Sequence, residues 1–303
     1  MSKKILITGG TGFIGYHLSK KCVKLGWNVV SLSSKLPKLS KTVKGVKYIK
    51  VDITQKNNLS KISRDFDYIV NLAGYVNHSD KIKTLESHYF GCKNLASLFI
   101  DKKIHKFIQI GSSVEYGKIS SPQRENKKNP QSTFSYYGKA KLQSTKYLIK
   151  LHEKKKFPVT ILRLYLVYGP YQDINRVIPI TIKNALLNKK FDCSDGLQLR
   201  DFTFIDDVIN AIIKTLRNNK SNGEIINIGS GKAVKIKDVI NEICHLVGSG
   251  QPIFGKIKMR KDEIKSLYPK ITKAKKLLNW QAKTNLRLGL KRTIKYFEYE
   301  KFS

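Results

Sequence analysis

The sequence predicts an α/β protein: a doubly wound parallel sheet, joined to a smaller C-terminal α/β part. Three observations carry this. Strand-like and helix-like segments alternate from residue 3 to residue 169. Several strand segments are continuous apolar runs, as expected of parallel strands covered on both faces. The first run, ILIT, ends in a glycine cluster, GGTGFIG, that opens straight into a helical pattern.

Taken in order, KKILITG (3–9) is the first strand and TGFIGYHLSKKCVKLGW (11–27) a helix with apolar residues at helical spacing, closing near Gly26. NVVSL (28–32) and VKYIKVD (46–52) are the next strands. FDYIVNLAG (66–74) is a fourth, ending in small residues. A helix is expected over 85–103, a fifth strand over 106–113, a long helix over 136–155 and a sixth strand over 159–169. The pattern changes after Pro170. Helices are expected over 176–189, 236–248, 271–280 and 286–301, a short strand then a helix within 195–218, and a strand over 224–231. This divides the chain into residues 1–170, mainly a dinucleotide-binding domain, and 171–303, mainly a substrate domain with segments returning to the larger one. The cleft between them is the expected ligand site.

Composition narrows the class. The chain has 303 residues, 41% of them hydrophobic, enough for a sizeable core. There is no apolar run near membrane-spanning length, and the N-terminus enters a strand without room for a signal peptide. Cys22, Cys92, Cys193 and Cys244 form no paired motif, and the histidines show no ligand spacing. These point to a cytoplasmic protein without a metal. The formal charge is +36, but only nine of the 58 basic residues are Arg and the lysines are spread along the chain. Arg is the residue expected at bidentate base or phosphate contacts. A chain-wide lysine bias therefore fits better than a specific nucleic-acid role.

The glycine cluster sits where a dinucleotide-binding turn must sit, after a strand and before a helix. Within it Gly10 is expected to make the tight turn, Gly12 to let the pyrophosphate approach and Gly15 to let the helix pack on the sheet. Gly9, Phe13 and Ile14 complete the turn, and the helix amides face the anion. Asp52 is placed to accept from an adenine amino group, with Ile53 packing on the base. Leu72, Ala73 and Gly74 end the fourth strand where the cofactor passes, and Tyr75, Asn77 and His78 line the rim. The tip of the second strand offers Ser33, Ser34 and Lys35 where NAD-selective turns carry an acid. An acid would repel a 2′-phosphate, whereas these residues accept one. NADP(H) is therefore the favoured cofactor and NAD(H) the alternative.

Ser112 ends the fifth strand, and YYGKAK (136–141) follows. Tyr137 and Lys141 are four apart on a helix, so they share a face. A nearby ammonium is expected to lower the phenol's pKa, giving an acid–base group usable near neutrality. Tyr136 has Ala140, not Lys, at the matching position. Ser112, Tyr137 and Lys141 together can run hydride transfer, with Ser112 polarising a carbonyl, Tyr137 moving the proton and Ser113 beside the substrate.

GGTGFIG, NLAG (71–74), IGSSVEYG (110–117), YYGKAK, RLYLVYGP (163–170), NRVIP (175–179), DGLQLRDFTFIDDV (195–208), NIGSG (227–231) and KAKKLLNW (273–280) together resemble the extended short-chain dehydrogenase/reductase family, in its nucleotide-sugar epimerase, dehydratase and reductase branch. The resemblance covers nearly the whole chain. It implies a Rossmann fold, the same Ser112–Tyr137–Lys141 trio, and substrate diphosphate-binding arginines at Arg200 and near Arg260. It also implies a homodimer packed through helices near 85–101 and 137–154. Dehydratases of the family carry Asp-Glu after the catalytic Ser/Thr. Ser113 and Val114 stand there, which disfavours dehydration. The GSS-x-EYG and RDFTFIDDV segments resemble reductases of CDP-, dTDP- or GDP-linked 4-keto-6-deoxy sugars, the CDP-abequose synthase type, which serve surface polysaccharides. An NAD-retaining 4-epimerase or 4-oxidase is the alternative, and a non-catalytic NADP- or nucleic-acid-binding protein a remote one. His88 replaces the family's usual Asn. A diphosphate suits the planar fork of Arg, so Arg176, with Val177 beside it, is a third candidate contact. Asp206 and Asp207 are expected to complement a helix N-terminus.

Overall fold

The structure is a computed structural model that describes residues 2–77, 79–126, 135–259 and 263–299. The strands of the first part are β1 (Lys4–Thr8), β2 (Asn28–Ser33), β3 (Val46–Lys50), β4 (Tyr68–Asn71), β5 (Lys106–Ser112), β6 (Val159–Leu164) and β7 (Leu166–Tyr168). Those of the second are β8 (Lys190–Asp192), β9 (Leu199–Arg200), β10 (Phe202–Phe204), β11 (Glu224–Ile228), β12 (Val234–Lys235), β13 (Gln251–Ile253) and β14 (Ser266–Leu267). The helices that matter for the site are α1 (Phe13–Lys24), α2 (Lys56–Leu59), α3 (Lys81–Leu85), α4 (Gly91–Ser97), α5 (Tyr136–Lys155), α6 (Val177–Leu186) and α7 (Ile205–Leu216).

The main sheet has seven strands in the order β11-β6-β5-β4-β1-β2-β3, and every pairing in it is parallel. From β1 the chain winds outward to β2 and β3, then returns to β4 on the other side and winds the opposite way. The reversal falls between β1 and β4, and ligands of such sheets bind outside the strand ends at that point. Successive side chains of a strand face opposite ways. Thus Ile5 and Ile7 of β1 enter one apolar core with Leu18 of α1 and Val208 of α7, while Leu6 enters the other with Leu95 of α4 and Leu148 of α5. Both faces being covered explains the unbroken apolar runs. β11 comes from the later half of the chain and completes the large sheet beside β6, in register from Glu224↔Thr160 to Ile228↔Leu164.

Two expected elements differ. The helix expected over 85–103 runs instead from Lys81 to Ser97, in three pieces: α3, a π-helical turn over Glu86–Phe90, and α4. The strand expected over 159–169 breaks at Tyr165. β6 stays in the main sheet, while β7 leaves it to pair with β10. Tyr165 is buried and donates from its hydroxyl to Gln123 Oε1 at 2.7 Å, so the apolar run continues while the backbone changes partners. Asp206 and Asp207 do open a helix, α7. Asp207 also accepts the N–H groups of Lys283 and Thr284, which tethers the C-terminal segment. Among the described residues no helix is long and apolar enough to cross a membrane, and no group of three His, Cys, Asp or Glu could hold a metal.

Candidate active site

The turn between β1 and α1 is shaped by backbone proximity. Gly9, not Gly10, takes the left-handed conformation, with φ +68°. A Cβ on Gly9 would stand 2.9 Å from the Leu72 carbonyl carbon. Gly10 is small for another reason: a Cβ there would meet Ser31 Oγ of β2 at 2.2 Å. At Gly15 a Cβ would lie 2.3 Å from the Gly9 carbonyl oxygen, so the turn and the first coil of α1 are in backbone contact. Gly12 caps α1 with no side chain, and the first turn, which includes the half-buried Phe13 and Ile14, holds no acid. Free amides at a positive helix end suit an anion. With Ala73 and Gly74 in the loop just after β4, the residues present fit the pyrophosphate and the body of a dinucleotide.

Ser33 closes β2, one residue later than expected, and its hydroxyl accepts the Thr11 N–H at 3.4 Å. It therefore touches the glycine turn, while Ser34 and Lys35 are exposed. Asp52 is exposed and accepts the Thr54 N–H at 2.9 Å. The Ile53 side chain is buried against Gly91 of α4, where a Cβ would meet it at 2.8 Å.

The catalytic candidates meet at the C-terminal end of β5. Ser112 ends the strand and caps a short 3₁₀ turn over Ser113–Tyr116. α5 begins immediately before Tyr137. Ser135 caps it by accepting the Gly138 N–H at 3.0 Å, and His152, Lys154 and Lys155 in its last turn complement the dipole. The Ser112 hydroxyl hydrogen-bonds the Tyr137 phenol. Lys141 is buried, its ammonium donating to the Ile110 carbonyl at 2.7 Å and standing 5.9 Å from the centre of the Tyr137 ring. Tyr136 is exposed beneath Lys81, whose ammonium lies 4.6 Å from its ring centre, so Tyr137 is the phenol facing Ser112.

The expected lowering of the phenol's pKa does not appear. Burial pushes Tyr137 up to about 12. The Ser112 hydrogen bond and the charge of Arg176 oppose this, and the Glu115 carboxylate adds to it. Lys141 directs its hydrogen bond to a backbone carbonyl rather than to the phenol, and burial lowers its own pKa. In this state the phenol is an acid that keeps its proton.

Behind the trio lies a polar layer. Thr8 of β1 donates to Asn71 of β4 at 2.6 Å, and Asn71 donates to Gln109 of β5 at 2.7 Å. Gln109 in turn donates to the same Ile110 carbonyl that holds Lys141, at 3.1 Å. Buried networks with every member paired rigidify what they hold. His88 sits on the π-helical turn with its ring edge-on to Tyr137, centroids 4.9 Å apart, and packs against Gly74, where a Cβ would meet the imidazole. The sequence marks His88 only as an unusual residue. Its place between the β4 end and Tyr137 depends on the π turn.

The substrate-side candidates are less concentrated. Ser113, next to Ser112 in the chain, is buried. Tyr75 is half-buried, its carbonyl 3.2 Å from His88 Nε2, and Asn77 is exposed and accepts the Ser79 hydroxyl. Arg176 is exposed at the start of α6, with Val177 half-buried after it, and its charge reaches Tyr137. Arg200 is committed elsewhere: it is buried, donates to the Leu199 carbonyl and pairs with Glu263. In this conformation Glu263 occupies its guanidinium. His78 and Arg260 lie outside the described residues.

Residues 5–229 match the NAD dependent epimerase/dehydratase family. The chain belongs to this family. A UDP-N-acetyl-alpha-D-glucosaminuronate decarboxylase of Bacillus cytotoxicus is 30% identical over 98% of both chains. The crystal structure of a UDP-glucuronic acid 4-epimerase from Bacillus cereus, in complex with UDP-glucuronic acid and NAD, is 31% identical. It matches 98% of this chain and 99% of its own with a TM-score of 0.89. A CDP-abequose synthase of Salmonella muenchen is 28% identical over 97% of this chain and 98% of its own. Relatives within the epimerase/dehydratase family thus include the resemblance to CDP-abequose synthase without favouring it over epimerases and decarboxylases.

Proposed function

We propose that the protein is an NAD-dependent 4-epimerase of a UDP-linked sugar, with Ser112, Tyr137 and Lys141 as its catalytic residues. The observation that carries this is the Ser112–Tyr137 hydroxyl pair at the end of β5, beside a dinucleotide-fitting turn and backed by buried Lys141. The full-length likeness to a 4-epimerase solved with UDP-glucuronic acid and NAD supports the choice of reaction and nucleotide. When bound, the nicotinamide supplies hydride chemistry at the sugar C4. The protein's part is proton handling and orientation. Tyr137 exchanges a proton with the C4 oxygen, Ser112 donates a hydrogen bond to it, and Lys141 holds positive charge behind the phenol. Ser113 and Val114 offer no acid for removing a C6 hydroxyl. A homodimer through α4 and α5 belongs to the same reading and is supported by exposed Phe90 and Leu85 near them.

One observation favours a second reading. The tip of β2 carries Ser33, Ser34 and Lys35, with no acid to repel a 2′-phosphate, which fits an NADPH-dependent reductase of a nucleotide-linked 4-keto-6-deoxy sugar. Purified protein given UDP-glucose, UDP-glucuronic acid and their N-acetyl analogues separates the two. The 4-epimer forming without added cofactor, seen by proton NMR, supports the epimerase. No turnover of these sugars, together with NADPH oxidation on a 4-keto-6-deoxy sugar, replaces it with the reductase.

A further inference from the structure

One buried carboxylate near the trio has no part in the chemistry above. Glu115 lies in the 3₁₀ turn after Ser112, its side chain wholly inaccessible. Oε1 accepts the Ser112 N–H at 2.7 Å and rests on Gly111, where a Cβ would come within 2.5 Å. Oε2 accepts the Thr145 hydroxyl of α5 at 2.8 Å, and Nε and Nη2 of Arg163, on β6, at 3.0 and 2.9 Å. Arg163 in turn lies over the Tyr116 ring, 4.3 Å from its centre.

We propose that Glu115 is a positioning residue for the reaction: its carboxylate ties the strand end that bears Ser112 to the helix face that bears Tyr137 and Lys141. The inference rests on the reading of that trio as catalytic.

Three points argue for this over a plain turn cap. Tyr137, Lys141 and Thr145 are four residues apart in turn, so they stack along one face of α5. The bond to Thr145 therefore fixes the face carrying the acid. A reciprocal cap needs only the Ser112 N–H and the Glu115 N–H, both of which are satisfied here. Glu115 spends its second oxygen on another element. Finally, a buried acid paired with Arg is costly to assemble compared with an apolar pair of the same shape. Stability alone does not call for one, whereas fixing two hydroxyls against each other does. The carboxylate also opposes the burial that lowers the Lys141 pKa.

Thr145→Val removes the tie to α5 and leaves the Glu115–Arg163 pair intact. Thr145→Ser keeps the hydroxyl. The full-length protein with each change, with Glu115→Gln and with Glu115→Gln plus Thr145→Val is assayed on the UDP-sugar that the wild type converts. Thr145→Val is expected to lower kcat by about tenfold or more with KM nearly unchanged, since small misplacement of reacting groups is costly. Thr145→Ser restores kcat, and the double variant is no slower than Glu115→Gln alone, because both changes break one bond. Wild-type kcat in Thr145→Val, no restoration by Ser, or independent losses in the double variant overturn the proposal. If Glu115→Gln does not fold, the Thr145 pair decides alone. A wild type inert toward every nucleotide sugar defeats the proposed function instead. The tie is then judged by hydrogen exchange in the ligand-free protein. Faster exchange at the Ser112 amide in Thr145→Val supports it, and unchanged exchange overturns it.

Discussion

Burial holds the Tyr137 phenol at about 12 in the ligand-free protein, so at neutral pH it carries its proton. On the proposed reading it is ready to return a proton to a C4 alkoxide, and it becomes a base only when positive charge gathers around it. Lys141 and Arg176 are the cations placed to contribute. Tyr137→Phe removes the proton and leaves the ring, its contact with His88 and the helix in place. Turnover is expected to fall by about 10²–10⁴-fold, with NAD affinity nearly unchanged. Parallel rate measurements and fluorescence titrations check this, and full activity in the variant rules Tyr137 out as the acid. At this scale the sequence was informative where spacing implies contact. Tyr137 and Lys141 share a helix face. It was silent where contacts are remote. Glu115 and Arg163 are 48 residues apart, and the pairing of Arg200 with Glu263 spans 63.

At the level of elements, the join of β1, its glycine turn and α1 was legible because only backbone contact explains so many glycines in that place. Gly15→Ala places a methyl group against the Gly9 carbonyl and the Gly10 backbone. It is expected to cost about 1–3 kcal/mol of stability and to abolish cofactor retention, checked by thermal melting and by cofactor content after gel filtration. The π-helical turn over 86–90 was not legible, since one extra residue per turn leaves composition and apolar spacing almost unchanged. Nor was the burial of Lys106 at the start of β5. Its ammonium donates to the Asn218 carbonyl at 2.8 Å, to Ser221 Oγ at 3.1 Å and to Asn222, holding the turn between α7 and β11. Burial pushes its pKa down to about 8 from 10.5. Between those values the unfolded chain binds a proton that the folded chain has released, so this contribution to stability is present above 10.5 and lost as pH falls to about 8. Urea unfolding at pH 8 and pH 10 is expected to show wild type gaining about 2 kcal/mol relative to Lys106→Met. A constant difference between the two proteins contradicts it.

Across the whole molecule, alternation of strand and helix was enough to anticipate a parallel sheet wound both ways, because the central strands are buried on both faces and helices make most of the connections. The position of β11 at the edge of that sheet follows from packing rather than local pattern, since its apolar residues fit an edge or a central strand equally well. Sheet order decides where chemistry happens. β1 and β4 flank the reversal, β5 delivers Ser112 beside it, and α5 lays Tyr137 and Lys141 across the same end. The central claim is that hydride leaves and returns to C4 at that place. The most direct test is conversion of UDP-sugar labelled with deuterium at C4, in ordinary water without added cofactor. The account predicts the 4-epimer with deuterium still at C4. Label washed into solvent, label moved to C6, or no inversion at C4 contradicts it.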